Sequence, residues 1–287
     1  MADLDDAPVL RRVEAGIEPP PLVVVCIVRA MIAGPTAYPE VNALLDALLT
    51  GVKDVLGTEF VGMYLYGSLA SGEFNPETSD VDVVVVTKDL LPQDTVRRLE
   101  AMHASILRSG GRWPRKLEGS YIPRPELRRY RPDGPELPHA HEGRFYLARH
   151  GSDWIIQRHV LREHGVVVDG PPLRPLIDAL RPAELRCAVR ATLREWWAPM
   201  LADQARLQSA EYQAFAVLTM CRALFALAHG SVASKPVAAR WVQTAFGDRW
   251  ARLVEPALVW REGRRLDRLS ETLAFVRFVL ERGDVSV

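Results

Sequence analysis

Apolar residues in the first part of the chain follow two different periods. Spacings of three and four residues over 41–56 and over 92–108 predict amphipathic helices. Short apolar runs predict strands at 60–66, 81–87, 117–122 and 144–149. A further helix is predicted from an N-cap at Ser152 to Gly165. This alternation indicates an α+β fold, with a mixed β-sheet flanked by helices.

Beyond Pro171-Pro172 the apolar pattern is helical throughout. The predicted helices cover residues 182–198, 210–229, 235–246, 248–261 and 266–282. We therefore predict a catalytic domain over 35–170 and a C-terminal all-α helical bundle over 171–287. Residues 1–34 are acidic and then rich in proline, and we predict a flexible extension or an upstream start codon, with Met31 as the alternative start.

Two stretches between the predicted strands lack an apolar period. Residues 69–79 contain Asn75-Pro76, and residues 123–143 are rich in proline and arginine. We predict a loop in both places. A long loop in a compact domain is often functional, so the second is predicted to be a lid that faces the substrate.

The most informative motif joins the first two predicted strands. Gly67-Ser68 follows the first strand, and Asp80-Val81-Asp82 opens the second. A glycine lets the backbone approach a phosphate closely, and a serine hydroxyl and nearby amides donate hydrogen bonds to it. Two carboxylates two residues apart on a strand leave the same face, and carboxylates together with phosphates are the usual ligands of Mg²⁺. The motif predicts a nucleotidyltransferase that binds a metal-bound nucleoside triphosphate.

A third carboxylate is expected beside this pair. Glu118 lies among apolar residues on the third predicted strand, where an unpartnered carboxylate would be costly. We predict that it accepts the proton of the attacking hydroxyl as a general base, or completes the metal site with Asp80 and Asp82.

Composition sets limits on the partners of the chain. Lysine plus arginine and aspartate plus glutamate number 36 each, so no net basic charge draws the 287-residue chain to nucleic acid or to an acidic membrane. Cys26, Cys187 and Cys221 are widely spaced in apolar surroundings, which indicates buried, reduced thiols and a cytoplasmic protein.

The chain resembles the aminoglycoside nucleotidyltransferases, and within them the streptomycin/spectinomycin 3''-adenylyltransferase group of the polymerase-β-like superfamily. The resemblance covers residues 36–262 and rests on motifs in both predicted domains. These motifs are Leu65–Ser68, Ser79–Asp82, Leu117-Glu118, Val217–Arg222, Gly230 and Lys235–Trp241.

The resemblance implies ATP as donor, Mg²⁺ as cofactor and an active site between the two domains. Asp80 and Asp82 would bind the metal, and Gly67, Ser68 and Ser79 would bind the nucleotide. Arg222 and Lys235 would reach the triphosphate from the helical side, where arginine binds phosphate bidentately and lysine supplies a point charge.

The acceptor is less well specified than the chemistry. Members that modify cationic drugs have acidic and aromatic residues before the arginine-bearing helix, whereas residues 196–212 contain only Asp203 and Glu211 as acids, beside Arg206. The leading hypothesis is AMP transfer to a hydroxyl of a small molecule, with aminoglycosides as the first acceptors to test. The alternatives are the same transfer to a protein or RNA hydroxyl, and a nucleotide-binding regulator without turnover.

Two further features of the sequence are weaker signals of function. Trp196 and Trp197 are adjacent, so they point in different directions on a helix, and one is expected in the core. His139, His141 and Glu142 offer metal-ligating side chains, but no further ligand follows at the spacing of a zinc site.

Overall fold

The structure, a computed structural model, describes residues 34–261 and 263–284. The predictions made for residues 1–33, including the extension, the alternative start and the thiol of Cys26, lie outside these residues. None of the described helices is both long and apolar enough to cross a lipid bilayer.

A six-stranded mixed sheet forms the centre of the first part of the molecule. The strands are β1 (Phe60–Leu65), β2 (Val81–Thr87), β3 (Leu117–Pro123), β4 (Glu136–His141), β5 (Arg144–Arg149) and β6 (Val166–Asp169), in the order β5-β4-β3-β2-β1-β6. Strands β2 and β3 are parallel, and each of the other pairs is antiparallel. The predicted α+β fold with a mixed sheet is confirmed.

Within the described residues, five α-helices accompany the sheet. They are α1 (Pro39–Leu56), α2 (Gly67–Ser71), α3 (Gln93–Arg108), α4 (Arg124–Arg128) and α5 (Asp153–His164). Helix α3 makes the crossover that a parallel pair such as β2 and β3 requires.

Strand β2 is buried on both faces of the sheet. Val81, Val83 and Val85 pack with α1 on one face, and Val84 and Val86 belong to a second cluster on the other. Because side chains alternate along a strand, Asp82 lies on the face of Val84, at the edge where the strand begins. The second cluster continues through Leu173 and Ile177. Residues 39–177 are called the sheet half below.

Residues 182–261 and 263–284 form a helical half. It contains α6 (Pro182–Thr192), a π-helical turn (Leu193–Trp197), α7 (Ala210–His229), α8 (Lys235–Phe246), α9 (Asp248–Leu258) and α10 (Leu269–Arg282). These helices share one core around the apolar face of α7, with Val217, Met220 and Cys221 fully buried. The predicted order of five helices is confirmed, while the domain boundary at residue 170 stays a prediction.

Several local predictions were wrong. The predicted loop 69–79 is confirmed from Gly72 onwards, but its first three residues belong to α2, and the predicted lid 123–143 contains α4 and β4. Strand β4 includes Pro138 and two histidines, which hide its period, and its position between β3 and β5 determines its conformation. Strand β6, only four residues long, was missed.

Two side-chain predictions also need correction. Ser152 does not cap α5 with its side chain, and its hydroxyl lies 3.3 Å from the Thr192 hydroxyl instead. Cys221 is buried as expected, but Cys187 is exposed because it lies on the solvent side of α6.

Candidate functional site

The three predicted carboxylates come together at one edge of the sheet. Asp82 and Glu118 are direct partners in the parallel pair of β2 and β3. Both therefore project from the same face, and Asp80, two residues before Asp82, stands at the entrance of the strand. The side chains of Asp80 and Glu118 are 37% and 33% exposed, which leaves them accessible to solvent.

Burial and like charges make Asp80 and Asp82 hard to ionise together. Burial, and then the charges of Glu118 and Asp80, hold the pKa of Asp82 well above its usual value. Burial and the charge of Glu118 also raise the pKa of Asp80, although Lys116, whose Nζ lies 3.2 Å from Asp80 Oδ1, opposes the rise. A bound cation would relieve this repulsion, so the site is electrostatically suited to a metal ion.

Gly67 makes the closest backbone approach to these acids. It has a φ of +61°, and a Cβ atom built on it would lie 2.0 Å from Asp82 Oδ2. The preceding Tyr66 donates its N–H to the carbonyl of Asp82 at 3.2 Å. No side chain fits between the turn and Asp82 on β2, which explains glycine at this position.

Ser68 and Ser79 occupy different environments. Ser68 follows Gly67 in the first turn of α2, and its carbonyl accepts the N–H of Glu73 at 3.0 Å. The hydroxyl of Ser79 accepts the N–H of Asn75 at 3.0 Å and so closes the turn that leads into β2. Ser68 thus lies at the glycine turn itself, and Ser79 shapes the segment before Asp80.

The helical half contributes two cations that face these carboxylates across the space between the two halves, which is called the cleft below. The guanidinium of Arg222, on α7, donates through Nε to the carbonyl of Ala233 at 3.1 Å. Burial lowers the pKa of Arg222, while the nearby Asp82 and Glu73 raise it. Lys235 opens α8; burial and Arg222 lower its pKa, and the carboxylates of Asp82, Asp80 and Glu118 raise it. The residues predicted from both halves therefore meet at one site.

A further acid in the cleft was missed by sequence reasoning. Glu73 lies in the segment between α2 and β2, and its carboxylate accepts a hydrogen bond from the Ser234 hydroxyl. The two residues are remote in sequence, and nothing in the pattern around either one indicates the pairing.

His141 was also missed as a partner of the catalytic candidates. Its Nε2 lies 2.8 Å from Glu118 Oε1, and the hydrogen bond to Glu118 raises the pKa of His141. This contact exists because β4 pairs with β3, whereas the sequence pattern predicts a loop at β4. The neighbouring His139 stacks on Tyr146 with ring centroids 5.6 Å apart.

Acidic residues continue from the carboxylates towards the helical half. Tyr66 is buried, and burial followed by the charges of Asp82, Glu118 and Asp153 raises the pKa of its hydroxyl. Burial, followed by the charges of Glu195 and Asp153, also raises the pKa of the Tyr130 hydroxyl. The exposed carboxylates of Asp153, at the start of α5, and Glu195, in the π-helical turn, extend the acidic surface beyond the sheet.

The two adjacent tryptophans are separated as geometry requires. Trp197 is 2% exposed and packs in the core of the helical half, whereas Trp196 is 45% exposed. The guanidinium of Arg206 lies 5.0 Å from the centroid of Trp196, so its charge covers the ring.

Comparisons with known proteins match both halves of the chain. Residues 47–122 match the nucleotidyltransferase domain family, and residues 176–282 match the aminoglycoside adenylyltransferase C-terminal domain family. Together these two matches span more than half of the chain.

Individual relatives cover most of the sequence. The aminoglycoside (3'') (9) adenylyltransferase of Shigella flexneri is 25% identical over 262 residues, which are 86% of this chain and 95% of the relative. The spectinomycin 9-adenylyltransferase of Staphylococcus aureus (strain Mu50 / ATCC 700699) is 27% identical over 200 residues, 66% of this chain and 73% of the relative.

A solved structure shows the same fold. The spectinomycin adenyltransferase of Enterococcus faecialis, crystallised with ATP and spectinomycin, superposes with a TM-score of 0.66 at 16% identity. The alignment covers 84% of this chain and 98% of that one. With a nucleotidyltransferase domain followed by an adenylyltransferase C-terminal domain, the chain belongs to the aminoglycoside nucleotidyltransferase family.

Proposed function

We propose that this protein transfers AMP from MgATP to a hydroxyl of an aminoglycoside or related aminocyclitol and releases pyrophosphate. One arrangement carries the proposal: the carboxylates of Asp80, Asp82 and Glu118 on the sheet half lie close enough to Lys235 on the helical half to raise its pKa. In return, the charges of Lys235 and Arg222 oppose the rise that burial and the neighbouring carboxylates cause in the pKa of Asp82. A metal-bound triphosphate has the charges that such a cleft complements. The relatives named as aminoglycoside and spectinomycin adenylyltransferases support ATP as donor and a drug-like acceptor.

The donor set fits Mg²⁺. Within residues 34–261 and 263–284, no three histidine, cysteine, aspartate or glutamate side chains enclose a common point at which they alone could hold a metal. Mg²⁺ does not need such a cage, because it is usually bound through one or two carboxylates, substrate phosphates and water. We assign Asp80 and Asp82 to the ion, which would neutralise charge developing on the transferred phosphoryl group.

The remaining residues position the reactants. The glycine turn at Gly67 and Ser68 brings backbone amides to the phosphates, and Arg222 and Lys235 neutralise them from the opposite side. Glu118 accepts the proton of the acceptor hydroxyl as that oxygen bonds to the α-phosphorus. The bond from the α-phosphorus to the bridging oxygen breaks, and pyrophosphate leaves with the electron pair.

The acceptor assignment rests partly on the acids outside the motifs. Residues 196–212 are poor in carboxylates, but Asp153 and Glu195 supply negative charge near Tyr66 and Tyr130. These groups would attract the ammonium groups of an aminocyclitol towards Glu118. ATP as the donor and the buried free thiol of Cys221 support a cytoplasmic location for the proposed reaction.

Mass spectrometry tests this function directly. The purified protein is incubated with MgATP and spectinomycin, streptomycin or other aminoglycosides, and the molecular mass of each compound is then measured. The Asp82→Ala variant is the inactive control. An AMP-sized gain on one compound that is absent in the control supports the proposal. Pyrophosphate release without any gain, or ATP binding without turnover, would contradict the drug acceptor and favour another acceptor or a regulator.

A further inference from the structure

A carboxylate outside the predicted site connects the two halves of the molecule. Glu73 belongs to the sheet half, and its Oε1 accepts a hydrogen bond from the hydroxyl of Ser234 in the helical half. Ser234 is also the N-cap of α8, where its oxygen accepts the N–H of Val237. The next residue is Lys235, one of the two cations of the cleft. Glu73 therefore contacts the residue that sets where α8 begins.

The same carboxylate lies within the field of both cations. Burial raises the pKa of Glu73, whereas the hydrogen bond from Ser234 and the charges of Arg222 and Lys235 lower it. A half-buried carboxylate is costly without partners, and these three groups supply them.

The turn between α7 and α8 is consequently fixed from two sides. Arg222 donates to the carbonyl of Ala233, and Glu73 accepts from the adjacent Ser234. The first contact ties the turn to α7, and the second ties it to the sheet half. Lys235 follows this doubly held pair, so its position relative to Asp80 and Asp82 depends on the second contact.

We propose that Glu73 is a positioning residue for nucleotide binding: through Ser234 it holds the start of α8, and with it Lys235 and Arg222, against the sheet half. The inference rests on the proposed function, because it takes the triphosphate as the ligand of these cations. Fixing the cations before the nucleotide arrives lowers the ordering cost of binding.

The test compares two acids of the same segment. Glu73→Ala removes the contact with Ser234, and Glu73→Gln keeps an acceptor but loses the charge. Glu77→Ala is the matched control, because Glu77 also reaches the helical half, with its Oε2 3.5 Å from Arg261 Nε, but does not contact Ser234 or the two cations. MgATP affinity is measured by calorimetry, and thermal unfolding is recorded without nucleotide.

We expect Glu73→Ala to weaken MgATP binding by about tenfold, with Glu73→Gln between it and wild type and Glu77→Ala within about twofold of wild type. Equal loss in the Glu73→Ala and Glu77→Ala variants would overturn the inference, since it would show general weakening of the interface. Unchanged or tighter binding by Glu73→Ala would also overturn it, the latter because Glu73 would then compete with phosphate.

A rescue experiment separates positioning from a general structural role. Ser234→Asp retains an N-cap oxygen but places a carboxylate against Glu73. Adding Glu73→Gln removes that repulsion, so the double variant should bind MgATP more tightly than Ser234→Asp alone, whereas additive losses would contradict the contact. A wild-type protein unable to bind MgATP would overturn the proposed function as well; wild-type binding with an unaffected Glu73→Ala variant overturns this inference alone.

Discussion

Asp82 lies directly beside Glu118 across the parallel strands β2 and β3. This register places a proposed metal ligand and a proposed general base on one face of the sheet, where burial and then the charge of Glu118 raise the pKa of Asp82. The pair forms only because Val81 and Leu117 begin their strands at the same level.

Asp82→Asn should reduce AMP transfer by several orders of magnitude, because the amide carries no charge to bind the metal. Folding should be preserved, since the neutral amide removes both the cost of burying a charge at this position and the repulsion from Glu118. Turnover and thermal unfolding are measured beside Asp94→Asn, an exposed residue of α3. Near-normal turnover in Asp82→Asn would remove Asp82 from the metal site.

Gly67→Ala should abolish most activity. The added methyl group would collide with Asp82, whose Oδ2 would be 2.0 Å from the new Cβ, and the φ of +61° is also unfavourable for alanine. Gly72→Ala is the matched control, because Gly72 has a φ of +76° but open space around its Cβ position. We expect both variants to lose about 1 kcal/mol from the backbone conformation, and only Gly67→Ala to lose turnover. Equal activities would show that the close approach to Asp82 is dispensable.

Arg222→Ala should weaken MgATP binding by about tenfold or more, because it removes a cation facing Asp82 and the contact with Ala233. Arg240→Ala, an exposed position on α8, is the control for general loss of positive charge. Calorimetric titration compares the variants. If both bind MgATP like wild type, the helical half does not hold the phosphates.

His141→Leu should lower kcat by about tenfold with a smaller effect on KM for ATP, because Glu118 loses the side chain that orients it. His141→Gln can still donate a hydrogen bond and should retain more of the activity. Steady-state kinetics with both variants distinguish the roles. A rise in KM for ATP at unchanged kcat would place His141 in nucleotide binding instead.

His103 should make the protein less stable in mild acid. Burial lowers its pKa from 6.5 to about 4, so the folded protein keeps it neutral while the unfolded chain takes up a proton. The free energy of unfolding therefore falls as the pH drops from about 6.5 towards about 4, by up to roughly 3 kcal/mol. Urea unfolding at about pH 7 and about pH 5 should show a smaller fall in His103→Gln than in wild type.

The matched variant for this measurement is His164→Gln, which changes an exposed histidine at the end of α5. It should follow the wild-type pH dependence. An identical fall in all three proteins would show that His103 is not the group responsible.

The sequence was sufficient to predict those parts of the site that depend on local spacing. The two-residue spacing of Asp80 and Asp82 predicts that both carboxylates leave the same face of a strand. The apolar runs of β2 and β3 predict the strands that carry them and Glu118. The contact between Glu73 and Ser234 cannot be predicted from local spacing, because it depends on how the core of the sheet half packs against the core of the helical half. The contact of His141 with Glu118 could not be predicted for another reason. Pro138 interrupts the strand pattern of β4, and without a predicted strand His141 has no predicted neighbour.

Carboxylates of the sheet half and the cations Arg222 and Lys235 of the helical half face each other across the cleft. A metal ion alone would neutralise Asp80 and Asp82 but leave the two cations without a negative partner. A nucleotide alone would neutralise the cations but bring its phosphates close to the carboxylates, which repel them. Each ligand should therefore raise the affinity of the protein for the other, and by reciprocal linkage the two increases must be equal. Chelating the metal should then release the nucleotide, so the division of charge between the halves makes the metal–nucleotide complex, rather than either component, the natural ligand.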